Sequence, residues 1–279
     1  MRKIKPLVLL FHLLLVSCAP KAFFLNQPKL VSAYFEREIT KLEKKNSSDI
    51  VDRRRLIRTK IEYGFGVIME QAHRMIDEDY TEAISKYKKA NRIFNEAKES
   101  GLSIISEEYP EFNNWLIKES SISFEKEDVS DMYWLAASIG GSISSSRGDP
   151  FELINLPNVG RLLKECIELD PGWNNGSLFS AMMSFTATRS DLNEKMLRDS
   201  VDYYFNKAIF YSNGMDAGPY LTYAESIHKT FQERKDFINK LNYVLEMEIV
   251  PKSEFELSNL LAKNRAEWLL KKTDEYFLE

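Results

Sequence analysis

Cysteine and histidine are the side chains of this sequence whose chemistry depends most on spacing. The 279 residues include two cysteines and three histidines. His12 lies in an apolar run near the N-terminus, and His73 and His228 stand far apart, so no pair has the spacing of a zinc site. The motifs of serine hydrolases, zinc proteases and phosphate-binding loops are also missing from the sequence. We therefore expect no catalytic residue, no metal ligand and no cofactor, and we expect that the protein is not an enzyme.

The residue to which the sequence does assign chemistry is Cys18. It follows a basic start and an apolar stretch from Leu7 to Val16. A stretch of about ten apolar residues suits a signal peptide and is about half the length that crosses a bilayer. The ending Leu15-Val16-Ser17-Cys18 resembles the lipobox of bacterial lipoproteins, in which the cysteine thiol receives the lipid. We predict a signal peptide over residues 1–17, cleavage before Cys18 and lipidation of its thiol.

The expected compartment and the net charge of the chain indicate which kinds of partner the protein can have. Lipidation of Cys18 would hold the mature chain at the periplasmic face of a bacterial membrane, with a tether over residues 18–29 and a folded domain over residues 30–279. The formal net charge is −4, and it becomes more negative when the basic signal peptide is removed. Because an acidic protein is poorly suited to nucleic acid, we expect attachment to the membrane through the lipid and no nucleic-acid partner.

A recurring pattern of small and large residues predicts the fold. Only 11 glycines and 9 prolines interrupt the chain, which favours long helices over many short strands. A small residue, a large one four positions later and a small one after three more are typical of the second helix of a tetratricopeptide (TPR) repeat. Four copies follow one another: Ala83-Tyr87-Ala90 fits fully, Val159-Leu163-Cys166 is degenerate, Val201-Phe205-Ala208 fits, and Phe237-Leu241-Val244 is the weakest. We predict an all-α, TPR-like fold of stacked antiparallel helix pairs.

Periodicity and end signals place further helices around these trios. Asp79 with Glu82, and Ser253 with Glu256, have the spacing of capping boxes. Gly64 lies inside a long predicted helix, which suggests close approach of a neighbouring helix. Besides the three later trio helices, the predicted helices span residues 30–45, 51–76, 80–101, 112–120, 129–146, 174–188, 217–231 and 254–277.

Cys166 occupies a small-residue position of the second trio. Such a position faces the neighbouring helix, where a desolvated thiol has little thiolate. We therefore predict that Cys166 is buried and chemically unreactive.

The helix predicted over residues 129–146 mixes large aromatic residues with small ones. Tyr133 and Trp134 precede Gly140 and Gly141 along it. Small residues on a helix face leave space that aromatic side chains can line. These four residues are our candidates for the lining of a cavity, and packing of the same side chains in the core is the alternative.

Five strings of residues, in order along the chain, resemble the T-component (TatT) family of tetratricopeptide-associated TRAP transporters. The strings are Tyr63-Gly64-Phe65 leading to Glu70, Met132 to Ala137 with Gly140-Gly141, Leu156-Pro157-Asn158-Val159 leading to Leu169-Asp170-Pro171, Gly218 to Glu225, and Leu257 to Leu270. Val159, Cys166 and Ser200 depart from the family pattern, since they stand where alanine-like residues are usual.

The resemblance implies a periplasmic lipoprotein made of helices, the accessory T component of a TRAP-type transporter. It also implies association with a DctP-like periplasmic substrate-binding protein, assembly as a homotrimer, and a tunnel in each protomer through which an apolar small ligand could pass. The alternative is a general TPR lipoprotein scaffold in envelope assembly. The ordered strings favour the transporter component, because a general scaffold has no reason to carry them.

Overall fold

The computed structural model describes residues 27–45 and 48–278. Every regular element within these residues is a helix, which confirms the predicted all-α fold. The predicted signal peptide (residues 1–17), Cys18 and most of the predicted tether lie outside the described residues.

The first half of the described chain consists of long helices with short connections. They are α1 (Pro28–Lys45), α2 (Ile50–Tyr63), a first π-turn (Gly64–Met69), α3 (Glu70–Met75), α4 (Tyr80–Glu108), α5 (Phe112–Leu116), a 3-10 turn (Lys126–Asp128) and α6 (Val129–Ser146). The backbone at the junctions of α2, the π-turn and α3 stays in the right-handed helical region. These three elements therefore form the single long helix that the sequence predicts.

The second half continues the helix pairs with shorter members. They are α7 (Pro150–Leu153), α8 (Leu156–Leu169), a 3-10 turn (Trp173–Gly176), α9 (Ser177–Ala187), α10 (Glu194–Tyr211), α11 (Gly218–Tyr223), a second π-turn (Ala224–His228), α12 (Arg234–Glu246), α13 (Glu256–Lys271) and α14 (Thr273–Tyr276).

The trios of small and large residues form the contacts between helices. Every trio position is buried except Phe205, which is partly exposed. The trio positions therefore lie on the faces that their helices turn toward the interior.

Glycines let the ring of Phe94 fit between two helices. A β-carbon built on Gly64 would lie 2.5 Å from this ring, and one built on Gly141 would lie 2.4 Å from it. Phe94 is fully buried, so α4 reaches α6 and the first π-turn only because both neighbours lack side chains at these points. The predicted close approach at Gly64 is confirmed.

The start of α4 agrees with the sequence, but its end does not. The Asp79 carboxylate accepts a hydrogen bond from the Glu82 backbone N–H at 3.0 Å, as an N-cap does. The helix continues past Gly101 to Glu108. Gly101 is buried and faces Leu135 of α6, so this glycine allows close packing and does not end the helix.

The last long helix begins differently from the prediction. Ser253 donates its hydroxyl to the Val250 carbonyl at 2.8 Å, and the Glu256 carboxylate accepts from the Lys252 N–H at 2.9 Å. The predicted capping box is therefore wrong, because both side chains stabilise the preceding turn. The buried face of the helix carries Asn259, Ala262, Ala266 and Leu269, whereas Leu257 is exposed.

The inner helices form a closed circuit of contacts. Helix α6 packs on the first π-turn and on α9, α9 packs on α11 and the second π-turn, and α11 packs on α13. The circuit returns from α13 to α3 through hydrogen bonds between side chains that lie 190 and 195 residues apart. These contacts form a ring, and we call the side of α6 that faces α9 its inner side.

Candidate functional site

The four predicted lining residues occupy different environments on α6. Tyr133, Trp134 and Gly140 are partly exposed, whereas Gly141 is buried against Phe94. A β-carbon on Gly140 would meet no atom within 4 Å. The structure thus assigns Gly141 to the helix contact. Lining by Tyr133, Trp134 and Gly140 stays a prediction.

Tyr133 lies in an aromatic group on the inner side of α6. Its ring centroid is 4.7 Å from that of Trp173 and 5.1 Å from that of Trp134. Burial, and after it the charge of Asp216, raise the pKa of Tyr133 to about 12. The phenol is therefore neutral at physiological pH and presents an aromatic face with one polar end.

Trp134 borders the surface between α2 and α6. The Arg58 guanidinium lies over its ring at 5.5 Å, a distance at which a cation and an aromatic face attract. The adjacent cavity is about 10 Å³ in volume and is lined by Arg54, Ile57, Gly101, Ile104, Asp131 and Trp134. A volume of this size holds one water molecule at most, so this cavity cannot take an organic ligand.

The contact that closes the circuit centres on Arg265. This residue of α13 donates from Nη1 to Glu70 of α3 at 3.2 Å. It also donates from Nε and Nη2 to Glu225 of the second π-turn at 3.1 Å and 2.8 Å. Burial alone would lower the pKa of Arg265, but the hydrogen bonds to Glu225 and the charge of Glu70 outweigh it and raise this pKa. The guanidinium is thus held as a cation between two carboxylates.

Further polar contacts run along the same line. Arg74 donates from Nη2 to the side-chain oxygen of Asn264 at 2.6 Å, and the Lys272 ammonium lies 3.1 Å from Asp77. The guanidinium of Arg74 also lies over the ring of Trp268 at 5.7 Å. We call this line the seam: Glu70, Arg74 and Asp77 on one side, and Glu225, Asn264, Arg265, Trp268 and Lys272 on the other.

The seam was not predicted from local spacing, although the sequence carried a signal for it. Five of its eight residues belong to three of the five strings that resemble the T-component family: Glu70, Glu225, Asn264, Arg265 and Trp268. The other three, Arg74, Asp77 and Lys272, lie outside the strings. A string by itself does not show which other string it contacts in the fold, because the residues that meet are up to 195 positions apart. The fold brings the strings together at one place.

His73 lies beside the seam without entering it. Its ring centroid is 5.6 Å from that of Tyr87. Burial, followed by the positive charge of Arg265, lowers the pKa of His73. The imidazole is therefore neutral near pH 7 and packs as an aromatic ring.

One group of potential metal ligands was missed by the sequence analysis. Ligand atoms of His228, Glu233 and Asp236 lie within 4.8 Å of one another. Glu233, however, already accepts from His228 at 2.7 Å and is paired with Arg198 at 2.9 Å. The positive charge of Arg198 neutralises the negative charge of the Glu233 carboxylate, so the cluster is best described as an ion-pair network.

Cys166 has the environment that its trio predicts. It is fully buried, and its Sγ lies 3.7 Å from the carbonyl oxygen of Val129. Burial, and after it the charge of Glu165, raise the pKa of the thiol to about 12. Thiolate is the reactive form, so this site does not support nucleophilic chemistry.

By its fold, the protein is an all-α array of helix pairs whose first and last parts meet at the charged seam. Among the residues that the structure describes, no helix combines the length and the apolar character needed to cross a bilayer. The family model of the TRAP transporter T-component matches residues 57–277. The chain therefore belongs to the T-component family of TRAP transporters. No curated protein matches the sequence.

Proposed function

We propose that this protein is the lipid-anchored, periplasmic accessory component of a TRAP-type transporter and that it docks a DctP-like substrate-binding protein. The observation that carries the proposal is the family match over residues 57–277, which covers every helix of the closed circuit. The lipid on Cys18 holds the protein at the membrane, since two or more acyl chains anchor a protein stably. In this proposal the assembly is a homotrimer.

The inner side of α6 supports a role in holding an apolar small ligand. Tyr133 and Trp173 supply aromatic surface there, and Gly140 leaves its surroundings open. Ligand pockets commonly combine apolar walls with a few polar groups, and the charge of Asp216 lies close enough to influence Tyr133. In this proposal a ligand passes the inner face of α6 on its way to or from the docked partner.

Co-purification tests the docking of the partner. The full chain, with a C-terminal affinity tag, is isolated from membranes of cells that contain the DctP-like protein at its native level. That protein should be retained, while a periplasmic binding protein of an unrelated transporter should wash out. Loss of both proteins at equal rates would contradict the docking proposal.

A further inference from the structure

The seam joins two parts of the protein that share no hydrophobic core. The N-terminal core comprises residues such as Ile57, Ile68 and Phe94, and the C-terminal core comprises residues such as Phe237 and Leu269. Neither cluster contains a residue of the other. Helices α3 and α13 meet through the polar side chains of the seam and through the ring of Trp268, over which the Arg74 guanidinium lies.

Arg265 makes more hydrogen bonds within its own half of the protein than across the seam. Arg265 makes two hydrogen bonds to Glu225, which lies in its own half of the circuit, and one to Glu70 across the seam. The cross-seam contacts are the pairs Glu70–Arg265, Arg74–Asn264 and Asp77–Lys272. If these three pairs separate, Arg265 keeps its bidentate partner, and Glu70 keeps Arg74, from which it accepts at 2.6 Å.

Separation of the seam therefore leaves no buried charge without a partner. That condition matters, because breaking an ion pair is costly mainly when one charge stays buried alone. The carboxylate is the more exposed partner in both ion pairs: the side chains of Glu70 and Asp77 are 26% and 62% exposed, whereas those of Arg265 and Lys272 are 15% and 16% exposed. Salt weakens such pairs through the partner that is open to water.

We propose that the seam is a gate in the helical circuit, closed by ion pairs and able to open while the helices on both sides stay folded. Opening parts α3 from α13 and interrupts the circuit of helix contacts at this one place. The apolar cores stabilise the fold of each half. The charged side chains of the seam determine whether α3 and α13 are in contact. The gate belongs to this chain alone, so it can exist whether or not a partner docks.

Trp268 reports on the gate. Its ring packs against the C-terminal core, and three cations lie over it: Arg74 from across the seam at 5.7 Å, and Arg265 and Lys272 of its own half at 4.6 Å and 5.7 Å. When the gate opens, the ring loses the cover of Arg74 and keeps the other two cations. The full chain is exposed to hydroxyl radicals, and oxidation of each tryptophan is measured by peptide mass spectrometry. The test variant is the double substitution Glu70→Gln and Asp77→Asn, which removes two cross-seam ion pairs and keeps Arg265 and Glu225 in place.

The matched control is Glu107→Gln. Glu107 forms a bidentate pair with Arg53 at 2.8 Å and 2.7 Å, but this pair joins α2 to α4, which share the N-terminal core. Trp115, which is 3% exposed among Phe112 and Phe124, reports on general unfolding.

The gate predicts a rise of at least about twofold in the oxidation rate of Trp268 in the double variant, because loss of exposed ion pairs shifts an equilibrium by such factors. Trp115 should not change, and Glu107→Gln should match the wild type. Raising the salt to about 1 M, where the screening length is roughly 3 Å, should have the same effect on Trp268 in the wild type. An unchanged Trp268 rate in the double variant would overturn the proposal. So would a parallel rise of Trp115, which would mean unfolding of the whole array, or an equal rise in the control.

Discussion

The ring of Phe94 lies so close to Gly141 that a β-carbon on this glycine would come within 2.4 Å of it. The neighbouring Gly140 has no atom within 4 Å of the same position. Two adjacent glycines of one helix therefore face a packed core and an open region, and this difference provides a matched pair of variants.

Gly141→Leu should destabilise the protein by about 1–3 kcal/mol, because the new side chain overpacks the site of Phe94. Gly140→Leu should leave the free energy of unfolding unchanged or raise it by up to about 1 kcal/mol, since leucine is the better helix former. Urea unfolding of both variants checks the difference. Equal destabilisation by the two substitutions would show that Gly140 also faces a packed neighbour.

The same pair tests the lining of the proposed ligand site. Gly140→Leu fills the open region beside Tyr133, so the amount of small molecule that stays with the purified protein should fall. The ligand content, measured by mass spectrometry after denaturation, should be lower in Gly140→Leu than in the wild type at similar stability. An unaltered content would place the ligand away from α6.

Cys166 should be unreactive in the native protein. Its burial raises the pKa of the thiol to about 12, so almost no thiolate is present near pH 7. Iodoacetamide should modify Cys166 only under denaturing conditions, and Cys166→Ala should fold normally. Rapid modification of the native protein would contradict the structure at this position.

Stability should depend on pH through His73. Burial and the nearby Arg265 lower the pKa of His73 in the folded state, so the unfolded chain binds a proton that the folded chain resists. Stability is therefore lost as the pH falls below the usual histidine value of 6.5. Between about pH 7.5 and 5.5 the wild type should lose more stability than His73→Gln. Parallel pH profiles for the two proteins would show that His73 does not contribute.

The predicted lipidation of Cys18 can be tested directly in cells. Radiolabelled fatty acid should enter the wild-type protein and should not enter Cys18→Ser, because the predicted lipobox supplies the thiol that carries the lipid. Equal labelling of both proteins would contradict lipidation at this residue.

Local patterns in the sequence predicted local structure well. The helix expected over residues 129–146 is α6, Val129–Ser146, since its apolar period and its ends are properties of neighbouring residues. Glycine was harder to interpret. The same residue type allows a close contact at Gly141, opens space at Gly140 and lies within a continuous helix at Gly101, and composition does not distinguish these environments.

The seam lay beyond prediction for a different reason. Glu70 and Arg265 are 195 positions apart, and no periodicity connects charges over that distance. Their meeting depends on the summed rotation of every helix pair between them. Resemblance to a family marked the strings that contain these residues, but only the fold showed that they are in contact.

The central claim is that this protein is the accessory component of a TRAP-type transporter and carries a docked substrate-binding protein. Native mass spectrometry of the complex extracted from membranes tests it most directly, because one spectrum reports partner, stoichiometry and retained ligand. The account predicts a lipidated trimer with a DctP-like protein bound to it. A monomer or trimer that never carries such a protein, under conditions in which both are present at native levels, would contradict the account.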